Sequence, residues 1–343
     1  MYKARFYHKK GDKIECLLCP RACRLAEGQT GTCGVREVKE GELYSTNYGC
    51  LAAVNQDPIE KKPLYHFYPG HSILSLGTFG CNLLCSFCQN WTLARGNPEQ
   101  APKKMSPEDV LRMLEKGGGP DSLPGVAYTY NEPLIWYEFV YDTARLIHEH
   151  GYKNVLVTNG YINREPLEEI LPFIDAMNID VKAFNDNFYG EYCRGERGPV
   201  IETVEKAVEA CHVEITCLLI PDLNDDPGEQ ETFARWLGGL NPDLVLHYSR
   251  YFPQYKLDQP PTPVEVLEHS REIARKYLRY VFLGNIDLPG ASDTICPHCG
   301  NLLIARRGYR VRLAGLDGYY CNNCRNLINL VLPAKQQKND RQN

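Results

Sequence analysis

Between residues 71 and 290 short apolar runs alternate with helix-like segments, and this alternation decides the fold class. The runs are Ser72–Gly77, Gly125–Tyr130, Lys153–Thr158, Ala176–Val181, Val213–Ile220 and Leu244–Ser249, with Tyr280–Gly284 as a further strand. Helical patterns fit between them. One opens at Pro107, with Ser106 as N-cap and Asp109 three places on; another runs to about His150; others cover Ile201–Ala210 and Pro263–Tyr277. Strands alternating with helices predict a parallel sheet. Six or so such units predict an α/β fold, a partial (β/α)6 TIM-like barrel rather than a flat sheet.

The 343 residues leave room for small appendages beside that barrel. Residues 1–70 form a cysteine-rich segment with little periodicity. Residues 291–334 form a module with two cysteine pairs, and the polar tail 335–343 is expected to be disordered. No apolar run approaches the ~18–20 residues of a membrane span. The opening Met1–Lys10 has no apolar core of a signal peptide, so a cytoplasmic protein is expected. The net charge of −5 is uneven: from residue 296 onward eight Lys and Arg stand against two Asp and Glu. The acidic body argues against a general nucleic-acid grip, while the basic end is open to an anionic partner. The run Ala305–Arg312 alternates like a strand and carries much of that positive charge; a solvated edge is its ordinary reading.

Fifteen cysteines in a chain without an export signal point to metal thiolates rather than disulfides. The sharpest group is Cys81, Cys85 and Cys88, a C-x3-C-x2-C triplet in the loop after Ser72–Gly77. Three thiolates on a [4Fe–4S] cube leave its fourth iron open. An open iron beside an external electron donor is what a cluster needs to hold and reductively cleave S-adenosylmethionine (SAM). A structural zinc site ordinarily wants a fourth ligand. Phe87 adds an aromatic face for an adenine ring.

Further polar candidates fall at the same, C-terminal ends of the predicted strands, where barrel chemistry sits. Asn131 and Glu132 follow the second strand, and Glu132 is placed to accept from the SAM ammonium or to start a helix. Thr158, Asn159 and Gly160 follow the third, as ribose or carboxylate contacts or as a plain turn. Asp180 and Lys182 lie two residues apart on one face, as ribose ligands or an ion pair. His247 and Arg250 are candidates for substrate contact.

Two outer groups complete the set. Cys16, Cys19, Cys23 and Cys33 make a closed site for zinc or a second iron–sulfur cluster, with Cys50 as a substitute member. Cys296, Cys299, Cys321 and Cys324 form two C-x2-C knuckles of a zinc-ribbon or rubredoxin-like site for zinc or iron. Cys193, Cys211 and Cys217 read as small buried apolar residues.

These stretches carry a resemblance. The middle of the chain resembles the radical SAM superfamily and, within it, activases of the pyruvate formate-lyase type. Cys16–Pro20 with Gly31–Arg36, Asp57–Gly70, Gly80–Asn90, Tyr128–Pro133, Val157–Tyr161, Leu219–Pro221 and His247–Pro253 look closer still to the AmmeMemoRadiSam system radical SAM enzymes. The resemblance implies cluster ligands at Cys81, Cys85 and Cys88, a partial barrel, and association with Memo-like and AMMECR-type proteins. The chain departs from the activases in having Tyr130-Asn131-Glu132-Pro133 where they usually show Gly-Gly-Glu-Pro. Its extra cysteines also lie before the triplet and at the far end instead of after it. The expected function is reductive SAM cleavage to a 5′-deoxyadenosyl radical that abstracts hydrogen from a substrate. The alternatives are a glycyl-radical-enzyme activase, a non-enzymatic metal scaffold and a multi-cluster electron carrier.

Overall fold

The computed structural model describes residues 1–97, 101 and 103–333. Eight strands build one sheet in chain order: β1 (Ala53–Pro58), β2 (Ser72–Gly77), β3 (Gly125–Tyr128), β4 (Lys153–Thr158), β5 (Ala176–Asp180), β6 (His212–Leu219), β7 (Val245–Arg250) and β8 (Tyr280–Gly284). From β2 to β8 every neighbouring pair is parallel. Only β1 runs antiparallel, pairing along its whole length with β2. Each parallel crossover is long enough for a helix. Among the described residues, five crossover helices of seven residues or more follow in order: α1 (Pro107–Lys116), α2 (Tyr137–Glu149), α3 (Arg164–Ile170), α4 (Gly198–Ala210) and α5 (Pro227–Leu240). A sixth, α6 (Val264–Ala274), precedes β8. Ser106 caps α1 with a reciprocal box, its hydroxyl accepting from Asp109 N and its own N–H donating to the Asp109 carboxylate.

The seven parallel strands match the predicted runs, and the α/β class with a sequential parallel sheet is the one expected. Among the described residues no ladder joins β8 to β1. The sheet starts before residue 71, because β1 comes from the cysteine-rich segment.

Alternation along the strands sorts the two faces. Leu74, Leu76, Val126, Tyr128, Leu156 and Ile179 join the core shared with Val140, Val204 and Phe233 of the helices. Ile73, Ala127, Val155 and Ala176 point the other way, against Ile59, Leu64 and Phe67. The 59–68 segment thus floors the face opposite the helices. Glu214 of β6 holds it there: this fully buried carboxylate accepts from Tyr65 N (2.9 Å), His66 N (2.7 Å), His212 Nε2 (3.0 Å) and His247 Nε2 (2.6 Å). Beside it the buried Lys62 ammonium meets Asp57 of β1 (2.7 Å) and lies 4.5 Å from the Tyr130 ring centroid.

The first fifty residues form two small antiparallel sheets. Tyr7–Lys10, Lys13–Cys16 and Arg24–Leu25 make one; Tyr2–Lys3, Glu42–Ser45 and Arg36–Lys39 make the other. Ile14, Leu18, Val35 and Leu43 merge with the barrel core. A buried Arg36–Glu138 ion pair ties this part to α2.

The C-terminal module pairs Leu302–Arg307 with Thr294–Ile295 and Arg310–Leu313. Its Leu303, Ile304, Ile328 and Leu330 share a core with Val245, Tyr280 and Phe282 at the sheet edge. Within the basic run Arg306 is buried, donating to Tyr65 O (2.6 Å) and Thr294 Oγ1 (2.9 Å), whereas Arg310 and Arg312 are exposed. Phe67 bridges Val331, and Val331 N donates to His66 O (2.7 Å). The tail 335–343 lies outside the described residues. Among them no helix is long and apolar enough to cross a membrane.

Candidate active site

The triplet loop leaves β2 at its C-terminal end, and the ends of β3 and β4 are bonded to it. Gly80 has φ +96, a region that disfavours other residues. Asn131, after β3, anchors this turn by donating to Gly80 O (2.8 Å) and accepting from Thr78 N (3.1 Å). Asn159, after β4, donates to Cys81 Sγ (3.6 Å) and to Asn82 Oδ1 (3.0 Å). Asn82 in turn donates to Tyr161 O (2.6 Å). On the far side Leu84 N and Ser86 N donate to Cys193 O and Tyr192 O, both 2.9 Å.

Glu132 is buried beneath this loop. Its Oε1 accepts from Leu134 N (2.9 Å) and Thr158 Oγ1 (2.7 Å), its Oε2 from Asn159 N (2.8 Å). It therefore starts the Pro133–Trp136 turn of helix and also binds β3 to β4. Burial outweighs these donors and pushes its carboxyl up to about 7. Gly160 closes the β4 turn at φ +68, its N–H donating to Thr158 Oγ1 (3.0 Å).

Asp180, the last residue of β5, and Lys182 form an ion pair (2.7 Å). Burial works against the ammonium, but Asp180 overrides it and raises the Lys182 pKa; Lys182 in turn acts electrostatically on Cys85 and Cys88. Phe87 is buried, its ring 5.5 Å from that of Phe188. His247 does not open to a substrate: it is buried, held by Glu214, and edge-on to Tyr65 at 4.6 Å. Arg250 donates to Thr262 O (2.8 Å) and sits over the Phe252 ring.

The donor set suits a cluster. Burial, then Glu132, pushes the Cys81 thiol up; a hydrogen bond with Cys193, then burial, raises Cys85; burial raises Cys88. Buried thiols of this kind stay protonated unless a metal draws off the proton. Donors already aim at sulfur, from Leu83 N (3.4 Å) and Asn159. The residues present therefore fit a bound iron–sulfur cluster with three cysteine ligands.

Several contributors have no sequence motif. Cys193 sits against Cys85. Exposed Trp91 stacks on Tyr255 (5.2 Å), and Lys256 N donates to Ser86 O (2.9 Å), bringing the 251–262 loop to the rim. Glu214 carried the one available signal, a carboxylate inside an apolar strand.

The outer groups differ. Cys296, Cys299, Cys321 and Cys324 have all sulfurs within 4.8 Å of one another. Asn301 Nδ2 and Asn326 Nδ2 donate to the sulfurs of Cys321 (3.6 Å) and Cys324 (3.3 Å). Cys16, Cys19, Cys23 and Cys33 line one pocket. Cys50 is not among its lining residues; its thiol is near Thr46 O and Tyr48 O (both 3.8 Å). Cys217 is buried, as expected.

The model of the Radical SAM superfamily matches residues 76–232. An uncharacterized protein of Methanocaldococcus jannaschii is 42% identical over 340 residues, spanning 97% of this chain and 100% of the relative. The pyruvate formate-lyase-activating enzyme of Clostridium pasteurianum is 31% identical over 221 residues, spanning 58% of this chain and 87% of that enzyme. Among solved structures, Streptococcus suis SuiB bound to the precursor peptide SuiA aligns with TM-score 0.50 at 14% identity, over 68% of this chain and 52% of that one. This last likeness concerns the fold alone.

Proposed function

The chain belongs to the radical SAM superfamily and is homologous to glycyl-radical enzyme activases, and from that premise we propose that it cleaves SAM reductively and abstracts hydrogen from a substrate over the sheet mouth. When bound at Cys81, Cys85 and Cys88, a [4Fe–4S] cluster supplies the electron that cleaves SAM to methionine and a 5′-deoxyadenosyl radical. The observation that carries the reading is the junction of the triplet loop, through Cys81, with the Glu132–Thr158–Asn159 unit at one end of the sheet.

The chain's own residues bind and orient. Glu132 in its charged form attracts the SAM ammonium, and its three donors fix where the carboxylate points. Asn131 and Gly80 hold the loop turn, and Thr158, Asn159 and Gly160 present the β4 turn to the same ligand. Lys182, neutralised by Asp180, sets the charge beside Cys85 and Cys88. Phe87 and Phe188 keep water from behind the loop. The low-potential electron comes from an external donor. The cysteine groups fit the reduced cytoplasm, where thiols persist. By the resemblance of Asp57–Gly70 and Gly80–Asn90, the reading extends to the AmmeMemoRadiSam system, with Memo-like and AMMECR-type partners. The C-terminal site holds zinc or iron, and the N-terminal group a further metal.

A second reading, a glycyl-radical-enzyme activase, is favoured by the 31% identity to the clostridial activating enzyme. Both readings meet one test. Cys88→Ala in anaerobically reconstituted protein abolishes 5′-deoxyadenosine release from SAM under a strong reductant; undiminished release refutes the assignment. Adding candidate partner proteins then separates the substrates.

A further inference from the structure

The two outer cysteine groups differ in how far apart they hold their sulfurs. At the C-terminal site the pairs Cys296–Cys324 and Cys299–Cys321 stand 3.6 and 3.7 Å apart. A tetrahedral ion with metal–sulfur bonds of ~2.3 Å places its sulfurs ~3.8 Å apart. That site has the dimensions of one ion. Cys16, Cys19, Cys23 and Cys33 also surround a single pocket. Among the described residues, however, no three of their sulfurs gather within the 4.8 Å that the C-terminal four satisfy. They wall a space instead of closing on a point. A polynuclear cluster asks for this arrangement, because each thiolate binds a different iron.

The pocket also holds unanswered donors. Arg36 is 1% exposed; its Nη1 donates to Arg5 O (2.8 Å) and its Nη2 to Glu138, but its Nε has no partner. Arg21 Nη2 is likewise buried without a partner. Both side chains line the pocket. Buried donors ordinarily find acceptors, and the sulfide and thiolate sulfurs of a cluster are acceptors of this kind.

The pocket lies directly behind the triplet loop. Arg21 Nε donates to Asn82 O (2.8 Å), and Asn82 both follows Cys81 and lines the pocket. A Cβ on Gly80 would come within 2.5 Å of Cys33 O. Cys33 and Cys81 thus flank a single backbone contact.

We propose that Cys16, Cys19, Cys23 and Cys33 hold a second iron–sulfur cluster, not zinc, packed against the loop of Cys81, Cys85 and Cys88. Such a cluster accepts one electron from a low-potential one-electron donor protein and gives one back, with no bond made or broken. The assignment rests on the N-terminal sulfurs and arginines, so it stands or falls apart from SAM cleavage.

The test uses the full chain with Cys81, Cys85 and Cys88 all changed to Ala, reconstituted without oxygen. This variant leaves the N-terminal module untouched. About four iron and four sulfide per chain remain, with the electron paramagnetic resonance of a reduced [4Fe–4S] cluster. Adding Cys19→Ser to that background removes them. Zinc without sulfide in the triple variant, or iron and sulfide unchanged by Cys19→Ser, overturns the proposal. Arg21→Gln in the same background keeps every ligand. It leaves the iron count intact and lowers the cluster's midpoint potential, because a cationic donor near the sulfurs is lost. An unmoved potential removes Arg21 from the site.

Discussion

Replacing Glu214 by Gln retains the shape of the side chain and removes half of its acceptors. Oε1 accepts from His66 N and His212 Nε2, and Oε2 from Tyr65 N and His247 Nε2. Whichever way the new amide turns, its NH2 group confronts a backbone N–H, that of Tyr65 or of His66, in a site that water does not reach. A stranded buried group costs ~1–3 kcal/mol, and breaking a buried charge network ~3–5 kcal/mol. A loss of roughly 3–5 kcal/mol follows. Unfolding entropy of ~2.1 cal/mol/K per residue over 343 residues makes 1 kcal/mol worth about 1.4 °C. Glu214→Gln therefore lowers the thermal midpoint by about 4–7 °C, read by far-ultraviolet circular dichroism on the metal-free protein.

The effect has a pH signature. Burial alone would raise the Glu214 carboxyl, but hydrogen bonds from His212 and His247 outweigh it and hold the carboxyl well below its ordinary 4.5. A depressed carboxyl stabilises the fold fully above its unfolded pKa, and that contribution is lost as pH falls toward the folded value. The gap between the two proteins is thus complete above about pH 4.5 and narrows on acidification. A midpoint shift below about 1 °C at neutral pH, or a gap that widens in acid, would refute the reasoning.

Glu132→Gln should remove a pH dependence instead of creating one. The Glu132 carboxyl is raised to about 7, so its burial costs stability progressively as pH climbs from 4.5 through 7; over the same interval the native protein binds SAM more tightly, and the variant, titrated by calorimetry, shows neither trend. At the C-terminal site, Cys299→Ser should release about one metal ion per chain. Hydrogen exchange then accelerates across Leu302–Leu313 while β3 to β5 stay protected, because the core around that site draws on β7 and β8 of the sheet and on no residue of β3 to β5.

The parallel strands could be read directly because their residues are apolar on both faces, as a covered sheet requires. Ser72–Gly77 and Lys153–Thr158 are bounded as their composition predicts. β1 escaped notice because Ala53–Pro58 includes Asn55 and Gln56, both exposed at the sheet edge, and ends in proline. Most of the candidate site was legible through one rule, that barrel chemistry gathers at C-terminal strand ends. It brought Cys81, Asn131, Glu132, Thr158 and Asn159 together without any knowledge of contacts. The direction of a side chain within a loop is another matter. Phe87 turns toward Phe188, and His247 turns down toward Glu214, because strand parity and local turns decide orientation and spacing does not. Cys193 meets Cys85 only through the fold of a distant segment, so an isolated cysteine carried no warning.

The bridge between Phe67 and Val331 has a consequence for assembly. Strands β2 to β8 can dock one after another as they leave the ribosome, each beside its predecessor. Glu214 of β6 already grips the floor beneath them, but two further latches come only with the C-terminal module, Val331 on His66 and Arg306 on Tyr65. Closing a loop of that length is entropically dear and slow. Until residues 306–331 emerge, the nascent protein is thus a finished wall over a half-latched base.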